Sequence, residues 1–272
     1  MRLNAVGSLP SGCAIVATVN RATIGGLGNV ADGLLGTASQ STLPGLDLRR
    51  SVRRITFCRM AGRPTATSEP ATVFLLSGPT PAELLLAASR VGGDVGHETI
   101  DGIPVMRRAL VWMAERGQND KEGEVVVASD RELLRATLTG SSATYSLDPQ
   151  MALSIVLNQK DVQQFLIKRT GSAVSPLAVV QEIRIGLLPS DTTLVTRFVI
   201  GDGTAAGQFA DAIKPALTTI VGRALGGEGP RPDISIDVED RDVVARVNVP
   251  PDAMTTLTNR ITAAGMARVA RR

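Results

Sequence analysis

The sequence predicts an α+β protein made of two tandem ferredoxin-like halves, and three observations predict it. Ten short β-branched runs alternate with capped, amphipathic segments. The order strand, helix, strand, strand, helix, strand, strand, helix occurs twice. The spacing between matching segments also shrinks smoothly along the chain. Each half reads as βαββαβ plus one more hairpin strand and helix, an order in which helices cover one face of a mostly antiparallel sheet. The halves are assigned to residues 1–140 and 141–272, because "TGSSATYSLDPQ" at 139–150 is polar and rich in turn formers.

The strands are predicted at 13–19, 52–58, 72–76, 99–107 and 124–128, then at 152–157, 179–187, 193–200, 234–238 and 243–249. Each is short, β-branched and bounded by turn residues. Helices are predicted at 21–36, 80–91, 130–138, 159–169, 204–224 and 252–264, with Asn20, Thr80, Ser129, Asn158 and Thr204 as caps. Pro215 falls inside the fifth helix, where it lacks a donor and crowds the preceding turn, so a kink or break is expected near Lys214. The strands carry a core face: Ile183, Ile185 and Leu187 alternate with Glu182, Arg184 and Gly186.

The internal match supports the two halves. "AIVATVN" ending at Asn20 aligns with "LSIVLN" ending at Asn158 at an offset of 138, and Val52 aligns with Val180 at 128. Thr80 matches Thr204 at 124, and Asp130 matches Asp252 at 122. Shorter loops in the second copy account for the decline.

Composition removes several classes. A chain of 272 residues can bury a core without disulfide or metal staples. No run approaches the ~18 apolar residues of a membrane-crossing helix, and the first thirteen residues lack the apolar run of a signal peptide. His97, Cys13 and Cys58 are the only histidine and cysteines, too few for an ordinary zinc site, so neither metal nor cofactor is expected. Of the 29 basic residues four are lysine, leaving 25 arginines, a bias attributable to GC-rich coding.

Five groups of residues carry possible chemistry. Gly26, Gly28 and Ala31, and separately Gly201, Gly203 and Gly207, resemble phosphate-cradling turns. The first group starts too far beyond its strand, and the second follows a strand of an antiparallel hairpin rather than a parallel βαβ unit, so both read first as turn and cap glycines. The alternative reading is an enzyme or sensor that binds a nucleotide-like ligand at the 201–207 turn or in the cleft between the two halves. His97 lies at the rim of a hairpin whose turn is Asp101–Gly102, without an orienting partner for base catalysis. Cys13 and Cys58 are expected to stay apart, since ferredoxin-like order puts the third strand between the first two and separates them by roughly 10 Å. Asp233, Asp237, Glu239, Asp240 and Asp242 read as a solvated strand face and hairpin tip, lacking the glycine and terminal glutamate of a calcium loop.

The densest feature is Arg49, Arg50, Arg53, Arg54, Arg59 and Arg63, six arginines in fifteen residues. Aromatic stacking platforms are missing around it, and Phe57 falls on the expected core parity, so nucleic acid is an improbable partner. Recognition of an acidic protein surface, including the 233–242 strand of another copy, is the functional reading.

The strings "GLDLRRSVRRITF", "TVFLLSG", "TIDGIPVMRR" and "GEVVVASDRELLRATLTG" resemble the repeating module of uncharacterised, mostly exported proteins from GC-rich bacteria. The resemblance spans nearly the whole chain and implies a processed, envelope-located protein. With few catalytic residue types and a mean hydropathy of +0.13, the expectation is a non-enzymatic binding or assembly module, periplasmic or secreted, that meets a protein partner or itself.

Overall fold

A computed structural model describes residues 9–20, 52–64, 70–78, 85, 95–108, 111–116, 123–139, 143, 145–148, 151–158, 179–188, 193–224 and 233–249. The chain divides into two compact units, Met1–Tyr145 and Ser146–Arg272. The helices expected at 21–36, 80–91, 159–169 and 252–264 lie outside the described residues, apart from Leu85, which is helical.

The first unit holds strands β1 (Cys13–Asn20), β2 (Arg54–Pro64), β3 (Pro70–Gly78), β4 (Val95–Ile100), β5 (Ile103–Arg108), β6 (Val111–Arg116) and β7 (Gly123–Ala128), followed by helix α1 (Arg131–Thr139). Their order across the sheet is β1-β2-β3-β7-β6-β5-β4. The second unit holds β8 (Leu153–Asn158), β9 (Glu182–Leu187), β10 (Thr193–Val199), helix α2 (Gly203–Ala224), β11 (Asp233–Glu239) and β12 (Asp242–Asn248), ordered β8-β9-β10-β12-β11.

These orders overturn the tandem ferredoxin-like prediction. That fold inserts the third strand between the first two, whereas β1 pairs directly with β2 and β8 with β9. Every described strand pair is antiparallel. Sheet dominates, with only two helices described in full. Alternation tells which face of a strand is buried but not which strand lies beside it, and a 33-residue connection such as 21–53 permits either arrangement.

Local signals behave as expected where the chain turns tightly. Asp101 and Gly102 both take positive φ, 50° and 82°, closing the two-residue turn between β4 and β5. The turn falls where Asp101 and Gly102 predict it, but it divides the single strand expected at 99–107, and β6 has no counterpart among the expected strands. β6 begins three residues after β5 ends, so no cluster of turn residues marks the boundary.

The first unit buries apolar side chains on both faces of its sheet. Val125 and Val126, neighbours pointing oppositely, are 1% and 0% exposed, which explains the unbroken apolar run in β7. One face meets Leu133 and Leu134 of α1, each 0% exposed; burying such a leucine stabilises by roughly 1.5–3 kcal/mol. The opposite face packs Met106, Met113 and Val127 around Leu85.

In the second unit, α2 presents Ala206, Phe209 and Ile213 to Ile183, Phe198, Val243 and Ala245. The spacing of three and four residues is that of one helix stripe. Phe198 and Phe209 tilt against each other with ring centroids 5.0 Å apart. Of the kink or break expected near Lys214 the break does not occur, for α2 runs from Gly203 to Ala224 with Pro215 inside it. Packing of the stripe on both sides of the proline offsets the lost backbone hydrogen bond.

Candidate functional site

The acidic strand of the second unit meets two arginines of the neighbouring strands. Alternation puts Asp233, Ser235, Asp237 and Glu239 on the face away from α2, as the sequence indicated. That face, however, is more than solvated carboxylate. Arg197 on β10 reaches Glu239 at 2.8 Å and Asp242 at 3.3 Å. Arg246 on β12 reaches Asp237 at 2.7 Å and Glu239 at 2.5 Å. Asp242 also accepts the backbone N–H of Ile200 at 3.1 Å.

The result is a chain of alternating charges across β10, β12 and β11. The Arg246 hydrogen bond holds the Glu239 carboxyl below the usual carboxylate range, against a smaller upward push from burial. Arg246 is raised in return, chiefly by the same bond. Carboxylates engaged in this way are poor metal ligands or proton acceptors, and no group of three metal-binding side chains occurs among the described residues. The sequence pointed to the acids but not to their partners, because Arg197 is about 40 residues away and meets them only through the β10–β12 pairing.

Of the six clustered arginines, the side chains of Arg53, Arg54 and Arg59 are described. Arg49, Arg50 and the Arg63 side chain lie outside what is described. Arg54 and Arg59 sit five residues apart on β2 and therefore face opposite sides of the sheet, with Arg54 half-buried and Arg59 exposed. Arg53, just ahead of the strand, is exposed. β2 is covered on both faces: Thr56 and Cys58 are 1% and 0% exposed on one, while on the parity expected for the core Ile55 packs on Val52 and Val125 and the half-buried Phe57 stacks on Phe74, itself 38% exposed, with centroids 5.0 Å apart.

The glycine turn serves the helix that follows it. Gly201 takes a φ of +80°, open to glycine without strain, and its N–H bonds to the Arg241 carbonyl at 3.2 Å. Asp202 then caps α2, its carboxylate accepting the Ala205 N–H at 2.9 Å. A carboxylate thus already occupies the helix start that a phosphate would need. Asp202, rather than Thr204, is the cap. Among the described residues nothing beyond its own helix crowds the space a side chain at Gly207 would fill, so close approach does not explain that glycine. Gly26, Gly28 and Ala31 lie outside the described residues. His97 is exposed on β4, opposite Met106.

The cysteines contradict the expectation most sharply, for Cys13 and Cys58 are joined by a disulfide with Cα atoms 5.6 Å apart. Two features bring them together. β1 and β2 are direct neighbours, and the register shifts between Cys13 and Ile15, so two residues of β1 oppose one of β2. Such a bulge turns Cys13 away from the parity of Ile15 onto that of Val16 and Cys58. Both cysteines are buried, at 1% and 0% exposure. Beside them the Tyr145 hydroxyl donates to the Pro10 carbonyl at 2.8 Å and accepts the Cys13 N–H at 3.1 Å. Leu9 and Ala143 form an antiparallel bridge next to this pair of bonds.

A buried charge network lies under α1. Glu124 accepts from Ser77 and from Arg116, and Arg116 also donates to the Thr137 carbonyl at 3.1 Å. The last turn of α1 has no basic residue of its own, so a strand arginine supplies the cation favoured at a helix carboxyl end. At the other end Asp130, not Ser129, caps the helix through the Leu133 N–H at 2.8 Å. Ser129 instead accepts the Thr72 N–H at 2.9 Å and so ties α1 to β3.

No family model matches the chain, and no curated protein matches it. Among solved structures, TP0453 in crystal form III aligns with a TM-score of 0.54 at 10% identity, covering 96% of this chain and 99% of that one. Crystal form IV of TP0453 gives 0.53 at 8% identity over 94% and 97% of the two chains, and form I gives 0.51 at 10% over 96% and 98%. At these identities the likeness is one of fold. No helix among the described residues is long and apolar enough to cross a membrane.

Proposed function

We propose that this chain is a non-enzymatic binding or assembly module that works in an oxidising compartment of the bacterial cell envelope, where it meets a protein partner or another copy of itself. The observation that carries the address is the buried Cys13–Cys58 bond, since structural disulfides persist in oxidising compartments and are rare in the cytosol of most bacteria. The binding role draws on where the charges go. Asp237, Glu239 and Asp242 are spent on Arg197 and Arg246, and Asp202 is spent on its own helix. Among the described residues, Phe74 is an exposed apolar side chain of the first unit, and it stacks on Phe57 with Arg59 on the same face of β2.

Native mass spectrometry of the full chain, purified from an oxidising compartment without added ligand, tests this reading. The expected spectrum shows a defined oligomer or a bare monomer, two hydrogens lighter than the reduced mass. A stoichiometric adduct of a few hundred daltons would replace the proposal with a ligand site, and two free thiols in the purified protein would remove the address.

A further inference from the structure

The chain leaves the first unit at Tyr145, and that residue is fastened to the start of β1 beside the disulfide. The lone tyrosine of the sequence places one hydroxyl between the Pro10 carbonyl and the Cys13 N–H. The Cys13 side chain is at the same time bonded to Cys58 on β2. One residue therefore holds both fastenings, through its amide and through its sulfur. The Leu9–Ala143 bridge adds a third tie between the same two segments.

We propose that Tyr145 and the Cys13–Cys58 disulfide form a redox-coupled latch that fixes where the chain exits the first unit. With the bond intact, Cys13 is pinned to β2 and presents its N–H to the tyrosine hydroxyl. Reduction by a dithiol passes two electrons and two protons to the cysteines, breaks the S–S bond and leaves the reductant as a cyclic disulfide. Cys13 lies beyond the bulge at the end of β1, where ladder pairing is already irregular. Once its sulfur is free, that end loosens and the tyrosine loses its acceptor and donor together. The coupling is reciprocal: if the disulfide stabilises the tyrosine clamp, the clamp protects the disulfide to the same degree. Protection is needed only against opening, because both cysteines are buried at rest.

The single tyrosine makes the latch directly readable. Burial pushes the Tyr145 phenol up, opposed by the backbone N–H groups of Cys13 and Gly12. Absorbance titration of the phenol in the full chain, before and after dithiothreitol, should show a lower midpoint in the reduced protein. Chymotrypsin should cut after Tyr145 faster in the reduced protein than in the oxidised one. Tyr145→Phe, which keeps the ring and removes the hydroxyl with both of its hydrogen bonds, should speed reduction of the disulfide on the order of tenfold or more. Arg135→Gln, on the exposed side of α1, should leave that rate unchanged. Identical titration and cleavage in the two redox states would overturn the latch, and so would a Tyr145→Phe protein reduced at the wild-type rate. Should Tyr145→Phe fail to fold, the titration and the proteolysis of the wild-type chain decide alone.

Discussion

Arg116 on β6 and Glu124 on β7 face each other in register, and their side chains form an ion pair that is only 12% and 5% exposed. A buried pair of this kind adds little net stability over apolar residues, yet removing one member leaves a charge without compensation. Glu124→Ala should cost about 3 kcal/mol, the low end for such a change, because Arg116 keeps the Thr137 carbonyl. The double variant Glu124→Leu, Arg116→Met should recover most of that loss in urea unfolding. If the double variant is no better than the single, the cost lies in the shape of the site and not in its charge.

The disulfide bridges positions 45 residues apart, and the chain between them contains the long connection from β1 to β2. Closing a loop of that size in the unfolded chain accounts for about 4 kcal/mol on the chain-entropy model. Replacing both cysteines with serine should therefore lower the free energy of unfolding by roughly that amount. Equal stability of the double serine variant and the wild-type protein would show that the reduced unfolded chain is already compact.

Acid should loosen the β10–β12–β11 face. The Glu239 pKa in the folded state lies below its unfolded value, so its contribution is fully present above the ordinary carboxylate pKa of about 4.3 and disappears as pH falls through the lowered folded value. Arg246→Gln removes the main cause of that depression. The stability gap between wild type and Arg246→Gln should be largest near neutral pH, shrink below about pH 4.3 and narrow with added salt. A gap independent of pH from 7 to 3 would mean that Arg246 acts through packing of its stem.

Helix capping gives a paired comparison. Asp202→Ala removes the acceptor of the Ala205 N–H and should destabilise the chain by about 1 kcal/mol, while Thr204→Ala should change it little. Thermal unfolding of the two variants side by side checks the assignment, and the reverse ranking would move the cap to Thr204.

Much of the local structure is legible in the sequence. The positions of β1, β3, β7 and β10 follow from β-branched runs, α1 and α2 from their apolar spacing, and the β4–β5 turn from the adjacent Asp101 and Gly102. Each is a property of about ten consecutive residues. The misses share a cause as well. β6 was lost because only two residues separate it from β5, and the caps were misplaced by one or two residues because Ser129 and Thr204 are as good in isolation as Asp130 and Asp202.

The candidate sites depended on distant pairings. The acids of 233–242 stand out in the sequence, but Arg197 becomes their partner only when β10 lies beside β12. Arg54 and Arg59 look clustered in sequence, and strand alternation sends them to opposite faces. The sequence by itself determined where most of the described strands and both fully described helices fall and which side of most of those strands is apolar, because backbone preference and periodicity are short-range. Only the tertiary structure decided that β1 neighbours β2, that a one-residue bulge turns Cys13 toward Cys58, and that a strand arginine completes the end of α1. Strand order and bond partners are chosen by free energies summed over residues tens of positions apart, and no local pattern encodes that sum.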